Sequence, residues 1–197
     1  MGQSSLLQGT PMALKSTIYK AVLDISDIDH GHYAQHSLTL ACHPSETEER
    51  MMVRLVAYGL NAHTVHTVCQ GNASLSFGAG LSDPDDPDLR LADYTGRTRL
   101  WIEVGQPDER ALTRASSRAD RVCVYAFSAS ADVWWSLIEP KLSRQSKLEL
   151  WRLPSDDTRR LCTLAARSMS LQATLQEGVL MMGNASELVT LEPERLM

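Results

Sequence analysis

The sequence predicts a single compact α/β domain in which a mixed β-sheet is flanked by helices. Three observations support this class. The chain has 197 residues, of which 43% are hydrophobic and 22% charged, which is typical of one globular domain with its own core. Its first segments alternate in polarity, as strands of a half-buried sheet do. Its later segments alternate between short apolar stretches and helical ones, as in sheets whose strands are joined by helices.

The predicted elements follow from these patterns in chain order. Polarity alternates from Thr17 to Ile25, and residues 33–41 place leucines on one face, which together predict a β-hairpin. Residues 65–76 are ambiguous, with a strand that ends in a glycine-rich loop as one interpretation. The remaining predicted elements are a helix over 49–61, a hairpin over 88–104, a helix over 108–119, a buried strand over 122–127, a helix over 131–138, a strand over 148–153, a helix over 156–166, and strands over 169–176 and 179–182.

The first helix has a distinctive N-terminus. Ser45 as N-cap with Glu48 three residues later predicts a capping box, and the acidic first turn suits the helix dipole. Glu49 lies on the same face as the apolar residues of this helix. A carboxylate that points toward a core is uncommon, so Glu49 is a candidate site residue.

Domain boundaries and compartment follow from composition. Residues 1–12 read as a polar N-terminal arm, with Met12 an alternative start to Met1, and residues 13–197 form the domain. The chain has neither a membrane span nor a signal-peptide pattern. Its four cysteines are far apart, which favours free thiols in a reducing cytosol. We therefore expect a cytoplasmic protein without a membrane partner, and the oligomeric state stays open.

The hairpin over residues 88–104 carries the main candidate site. If its turn is centred on Thr95-Gly96, Leu89 faces Ile102, and Asp88 then lies directly across from Glu103. Two carboxylates so close repel each other unless they share a proton or a cation. A hard ion such as Mg²⁺, held by carboxylates and a backbone carbonyl, would relieve the repulsion. The alternative is that Asp88 lies at the solvent end of the hairpin and binds nothing.

An aspartate before a β-hairpin and a glutamate near the end of its second strand resemble the PD-(D/E)XK nuclease core. The resemblance implies a restriction-endonuclease-like core and a site for Mg²⁺ or Mn²⁺ with Asp88 and Glu103 as catalytic metal ligands. In that superfamily the first helix often contributes another glutamate. Glu46 or Glu49 stands at that place here.

Five segments extend the resemblance to a narrower family. They are Ile18-Tyr-Lys-Ala21, His43-Pro-Ser-Glu-Thr47, Glu49-Arg-Met51, Leu100-Trp-Ile-Glu103 with Gly105-x-Pro107-Asp-Glu109, and Leu171-Gln-Ala-Thr-Leu-Gln176. Together they are similar to the bacterial YaeQ family, over residues 12 to about 192. The resemblance implies a compact single domain around a variant PD-(D/E)XK core, and it implies no particular activity.

The sequence departs from the nuclease pattern at the lysine of the motif. That position is Gly105, which can neither hold an attacking water nor offset charge in a transition state. Gln106 is the nearest replacement and is counted with the catalytic candidates. Phosphate contacts would come from Arg110 and Arg114 of the next helix, or more distantly from Lys20.

Two functions therefore stay open at the level of sequence. The first is a metal-dependent nuclease or nucleic-acid-binding protein. The second is a catalytically inactive nuclease-like fold that serves as a protein-binding or regulatory module, favoured by the missing lysine and by the net charge of −5. His63, His66 and Cys69 have a spacing that resembles metal ligands, but a helix that ends within them would not keep them on one face.

Overall fold

The computed structural model describes residues 15–83, 85–142 and 145–197. The predicted N-terminal arm and the choice between Met1 and Met12 as the start lie outside the described residues.

Eleven strands and five helices make up the described chain. In order they are β1 (Thr17–Asp27), β2 (His32–Cys42), α1 (Glu48–Asn61), α2 (Thr64–Thr67), β3 (Ala73–Phe77), β4 (Leu89–Asp93), β5 (Thr98–Val104), α3 (Glu109–Arg118), β6 (Arg121–Ala126), α4 (Ala131–Leu142), β7 (Leu148–Arg152), α5 (Ser155–Arg160), β8 (Ser168–Gln176), β9 (Val179–Gly183), β10 (Leu188–Leu191) and β11 (Glu194–Arg195). Short 3₁₀ turns cover Gly80–Ser82 and Leu161–Leu164.

The strands form two mixed sheets. The first has five strands in the order β10-β9-β8-β1-β2, with β1 and β8 parallel and the other pairs antiparallel. The second has six strands in the order β11-β7-β6-β5-β4-β3, with β5, β6 and β7 parallel. The predicted mixed pairing is therefore present, and it is divided between two sheets.

Helix α1 lies at the centre of the main core. Its residues 51–58 are all buried, and they pack with apolar residues of both sheets in one continuous cluster. A helix that is apolar nearly all round is expected to be buried on all sides. Helices α3 and α4 cover the other face of the second sheet, where Leu112 and Ile138 pack against Val122 and Val124.

The structure corrects two local predictions and resolves one ambiguous segment. Helix α1 is capped by Thr47, whose side chain accepts a hydrogen bond from the Arg50 amide, so the Ser45 capping box is wrong. The helix predicted over 156–166 begins at Ser155 and becomes a 3₁₀ turn after Arg160. The ambiguous segment 65–76 divides into the end of α2 and most of β3.

The helices and the cysteines bear on where the protein is located. In the part of the chain that the structure describes, no helix combines the length and the apolar character needed to cross a membrane. All four cysteines are free; Cys42 and Cys123 are buried, and Cys69 and Cys162 are half-buried.

Candidate functional site

The hairpin of β4 and β5 has the register on which the site prediction depends. Leu89 pairs with Ile102 and Leu91 with Leu100, and all four side chains are buried in the main core. A bulge after Leu91 shifts the register near the turn and leaves the base of the hairpin unaffected. Asp88 therefore immediately precedes β4 at the end of the hairpin where Glu103 lies.

The Asp88 carboxylate is bound by an arginine of α1. The Nη2 atom of Arg50 donates to Oδ1 and Oδ2 of Asp88 at 2.8 and 2.9 Å, and it also donates to the Val104 carbonyl oxygen at 3.3 Å. The Val104 amide donates to Oδ2 of Asp88 at 2.7 Å. Burial raises the pKa of the Asp88 carboxyl, and Arg50 is the largest influence in the opposite direction. Arg50 thus contacts a carboxylate and a backbone carbonyl, the oxygen types that a divalent cation was expected to bind.

A second arginine extends this contact into a buried ionic network. Arg54 lies one helical turn after Arg50 and is fully buried. Its Nη1 atom donates to Oε2 of Glu46 at 3.3 Å and to the Ala41 carbonyl at 3.0 Å, and its Nε atom lies 3.7 Å from Oδ1 of Asp88. Glu46 also pairs with Arg50 at 2.8 Å. The two arginines and two carboxylates balance in charge, which burial in a low-dielectric region requires.

Glu103 has different partners from Asp88. Its Oε1 atom accepts a hydrogen bond of 2.6 Å from the indole nitrogen of Trp101, which packs on the face of the sheet covered by α3 and α4. Burial raises the pKa of Glu103 to about 7, with a further contribution from Asp88, whereas the Trp101 hydrogen bond, Arg50 and Arg114 lower it. The two carboxyl groups influence each other's charge, but each is satisfied by a separate donor.

The position of the missing lysine has a backbone that favours glycine. Gly105 has a φ of +109°, a conformation that side-chain-bearing residues rarely adopt. The neighbouring Gln106 does not present a free amide, because its Nε2 atom donates to the Phe127 carbonyl at 3.1 Å and to the hydroxyls of Ser128 and Ser130 at 3.0 Å. The side chain predicted to replace the lysine therefore connects the end of β5 to the start of α4.

The other predicted site residues form no hydrogen bond with the network of Arg50, Arg54, Glu46 and Asp88 that the structure shows. Glu49 accepts a 2.7 Å hydrogen bond from Thr158 Oγ1 of α5. Arg114 lies close enough to influence Glu103, although its own ion pair is with Asp85 at 2.8 Å. Arg110 is exposed on α3.

Lys20 lies apart from these residues. It is exposed on β1, a strand of the first sheet, whereas Asp88 belongs to the hairpin of the second. The structure thus joins Glu46 and Asp88 through Arg50 and places Glu103 within electrostatic reach of Asp88 and Arg114, and it does not add Lys20.

As arranged, the donor set does not fit a resident divalent ion. The Arg50 guanidinium already contacts both oxygens of Asp88 and the Val104 carbonyl. Among the described residues, Asp88 and Glu103 also do not join a third acidic, histidine or cysteine ligand into a trio within 4.8 Å. An internal arginine supplies the positive charge that the facing carboxylates require.

Sequence reasoning missed Arg50 and Arg54. The available signal was a pair of arginines one turn apart in a helix whose neighbouring residues are almost all apolar. A charged side chain inside such a run requires a buried partner of opposite charge. The pattern does not indicate which carboxylate that partner is, because Asp88 is 38 residues from Arg50.

The comparisons with known proteins agree on one family. The family model "YaeQ protein" matches residues 12–193. A protein of Salmonella typhi described as "Uncharacterized protein YaeQ" is 39% identical over 175 residues, which cover 88% of this chain and 92% of that protein. Its counterpart from Escherichia coli strain K12 is 38% identical over 170 residues, which cover 86% of this chain and 89% of that protein.

Two crystal structures are similar throughout the fold. The YaeQ protein from Xanthomonas axonopodis pv. citri has a TM-score of 0.84 and 40% identity, and the match covers 92% of this chain and 98% of that one. The YaeQ protein from Pseudomonas syringae also has a TM-score of 0.84, with 33% identity and coverage of 92% and 96%. On the family match, the identities and the shared fold, this chain belongs to the YaeQ family.

Proposed function

We propose that this chain is a catalytically inactive protein with a restriction-endonuclease-like core, which acts by binding a protein partner in the cytoplasm. The observation that carries the proposal is the position of Arg50, which bridges Asp88 and the Val104 carbonyl. A nuclease of this type needs a divalent cation there to activate water and to stabilise the charge that develops on phosphate. A guanidinium is a permanent cation, but it cannot generate hydroxide from water.

The surroundings of the hairpin support the same conclusion. Gly105 has a backbone that disfavours lysine, and the Gln106 amide is engaged by Phe127 and the serines before α4. Neither residue offers a free donor to a transition state, where one well-placed donor is typically worth ~10²–10³ in rate.

The charge distribution favours a protein partner over nucleic acid. The net charge is −5, and two arginines of α3 are engaged by the acidic loop before β4: Arg114 pairs with the Asp85 carboxylate and Arg118 donates to the Asp85 carbonyl. Val133 and Leu137, one turn apart on α4, have exposures of 63% and 69%. A protein partner can bury these two side chains, whereas they offer no positive charge to a phosphate backbone. The free cysteines support the cytoplasmic location.

A metal-dependent phosphodiesterase is the second candidate, and one observation favours it. The pKa of Glu103 lies at about 7, near the value useful to a general acid or base at neutral pH. Its Trp101 hydrogen bond engages one carboxylate oxygen, Oε1.

Cleavage and metal-binding assays separate the two functions. The wild-type protein is incubated with single- and double-stranded DNA and RNA in Mg²⁺ or Mn²⁺, beside the Asp88→Asn variant as the control for contaminating nucleases. We expect no cleavage above that control. Calorimetric Mg²⁺ titration of wild type and Arg50→Gln should show weak binding only in the variant, because the substitution removes the competing cation. Cleavage that is lost in both Asp88→Asn and Glu103→Gln would instead establish the enzyme.

A further inference from the structure

A second group of titratable side chains lies at the opposite end of α1. Asp27, the last residue of β1, is fully buried and faces two imidazoles. The Nδ1 atom of His30 lies 2.9 Å from Asp27 Oδ2, and the Nδ1 atom of His63 lies 3.4 Å from the same oxygen. His63 follows α1, thirteen positions after Arg50, so the two groups lie roughly 20 Å apart along the helix.

Hydrogen bonds satisfy Asp27 and His30 but not the Nδ1 atom of His63. His30 engages both oxygens of Asp27 through Nδ1 and donates its backbone amide to Oδ1. The Nδ1 atom of His63 is buried and has no partner of good hydrogen-bond geometry among the described residues, although the Leu60 backbone lies close to the ring. The rings of His30 and His63 stack in parallel with centroids 3.6 Å apart, an arrangement that opposes a positive charge on both. Burial and the neighbouring His30 lower the pKa of His63 to about 4.

The three donor atoms are spaced as ligands of one metal ion. All three lie within 4.8 Å of one another. Bonds of about 2.0–2.1 Å in a tetrahedral zinc site place neighbouring ligand atoms about 3.3 Å apart. The two oxygen-to-nitrogen distances, 2.9 and 3.4 Å, lie on either side of that value.

The backbone holds these donors in place from several elements. His30 lies in the turn between β1 and β2, where the carboxylate of Asp29 accepts hydrogen bonds from the amides of Glu177 and Gly178 at 2.7 and 2.9 Å. The amide of Ile28 donates to the Leu175 carbonyl at 2.9 Å. The backbone of the turn is thus fixed to the β8–β9 connection. The adjustment that an ion requires is a rotation of a histidine side chain, because parallel stacked rings cannot both direct an Nδ1 lone pair at one ion.

A cavity of about 260 Å³ adjoins the two histidines. Asn61, Cys123 and Tyr125 also line it, and Asn61 Nδ2 donates to the Tyr125 hydroxyl at 2.8 Å. A site with three protein ligands beside a cavity has room for water or a small molecule as the fourth ligand.

We propose that Asp27, His30 and His63 bind one first-row divalent transition-metal ion of the zinc type, with its fourth position open to this cavity. Two imidazoles and one carboxylate favour such ions over Mg²⁺, which prefers oxygen ligands. In the sequence, the spacing of His63, His66 and Cys69 resembles that of metal ligands. The structure joins only His63 of those three to the present group. The site does not depend on the function proposed for Asp88.

Zinc titration of the full chain tests the proposal. Protein freed of metal with a chelator is titrated with Zn²⁺ in a calorimeter, beside His30→Gln and His63→Gln. His43→Gln is the matched control, because His43 lies before α1 with Ser45 as its side-chain partner. Thermal melts in chelator verify that each variant is folded. His30, whose side chain is 41% exposed, is the substitution least disruptive to the core.

We expect one zinc per wild-type and His43→Gln chain, and affinity at least tenfold weaker in the two other variants. Mg²⁺ should give no comparable signal. Co²⁺ should give the visible absorption of a four-coordinate site in wild type and lose it in His30→Gln. The proposal is overturned if the wild type binds no zinc at millimolar concentration, or if His30→Gln binds zinc as tightly as the wild type does.

Discussion

Replacement of Asp88 by alanine distinguishes a buried ion network from a pair of repelling carboxylates. Asp88 is 2% exposed and accepts hydrogen bonds from Arg50 and the Val104 amide, with Arg54 Nε 3.7 Å away. The substitution leaves one excess positive charge in a buried network. Breaking a buried ion pair by removing one partner typically costs about 3–5 kcal/mol. At this chain length the loss corresponds to a drop in Tm of roughly 6–20 °C.

Asp85 supplies the matched control for this measurement. It lies three residues earlier in the same loop, and its ion pair with Arg114 is half-exposed on both sides, so Asp85→Ala should cost about 0–1 kcal/mol. Urea unfolding followed by circular dichroism gives both free energies, provided that the m-value is unchanged. If Asp88 instead repels Glu103 without compensation, Asp88→Ala will cost no more than Asp85→Ala. That result would refute the ion network and the argument from Arg50 with it.

Three further outcomes are expected. The pKa of Glu103 is about 7 in the folded chain against an ordinary 4.5, so the folded state binds more protons between these values and stability falls as pH rises through them. The free energy of unfolding of Glu103→Gln, measured in urea, should therefore equal that of the wild type near pH 5 and exceed it by about 1–3 kcal/mol at pH 8. A difference that does not change with pH would contradict this pKa. Gly105→Lys and Gly105→Ala should both lose about 1–3 kcal/mol in thermal unfolding because of the positive φ, and neither should cleave DNA or RNA; cleavage by the lysine variant alone would show that only the lysine was missing. Thr158→Val should lower the free energy of unfolding by about 1–2 kcal/mol, because Glu49 loses its hydrogen-bond donor. An unchanged Tm would refute that contact.

The missing lysine shows why a motif and its backbone must be judged together. In the sequence, position 105 looks like a simple vacancy that one substitution would fill. In the structure, the Gly105 amide donates to the Tyr125 carbonyl, and the residue has a positive φ. The adjacent Gln106 connects to Ser128 and Ser130. The loss of the lysine is thus accompanied by a local structure that does not accommodate its return.

The sequence by itself determined most of the elements and the hairpin register. Alternation with a period of two identifies strands, and the burial of Leu89, Leu91, Leu100 and Ile102 on one face fixes their pairing. These are local properties, because each depends on residues a few positions apart. The same reasoning placed Asp88 and Glu103 at one end of the hairpin and predicted that their charges need a positive partner.

Only the tertiary structure decided how that charge is balanced and which histidines meet. Arg50 and Asp88 are 38 residues apart, and His63 is separated from Asp27 by a strand and a helix. Side chains this far apart in sequence become neighbours because α1 packs between two sheets, and no periodicity records that packing. Once α1 is buried, its arginines must find carboxylates inside the protein, since leaving them unpaired away from water would cost several kcal/mol.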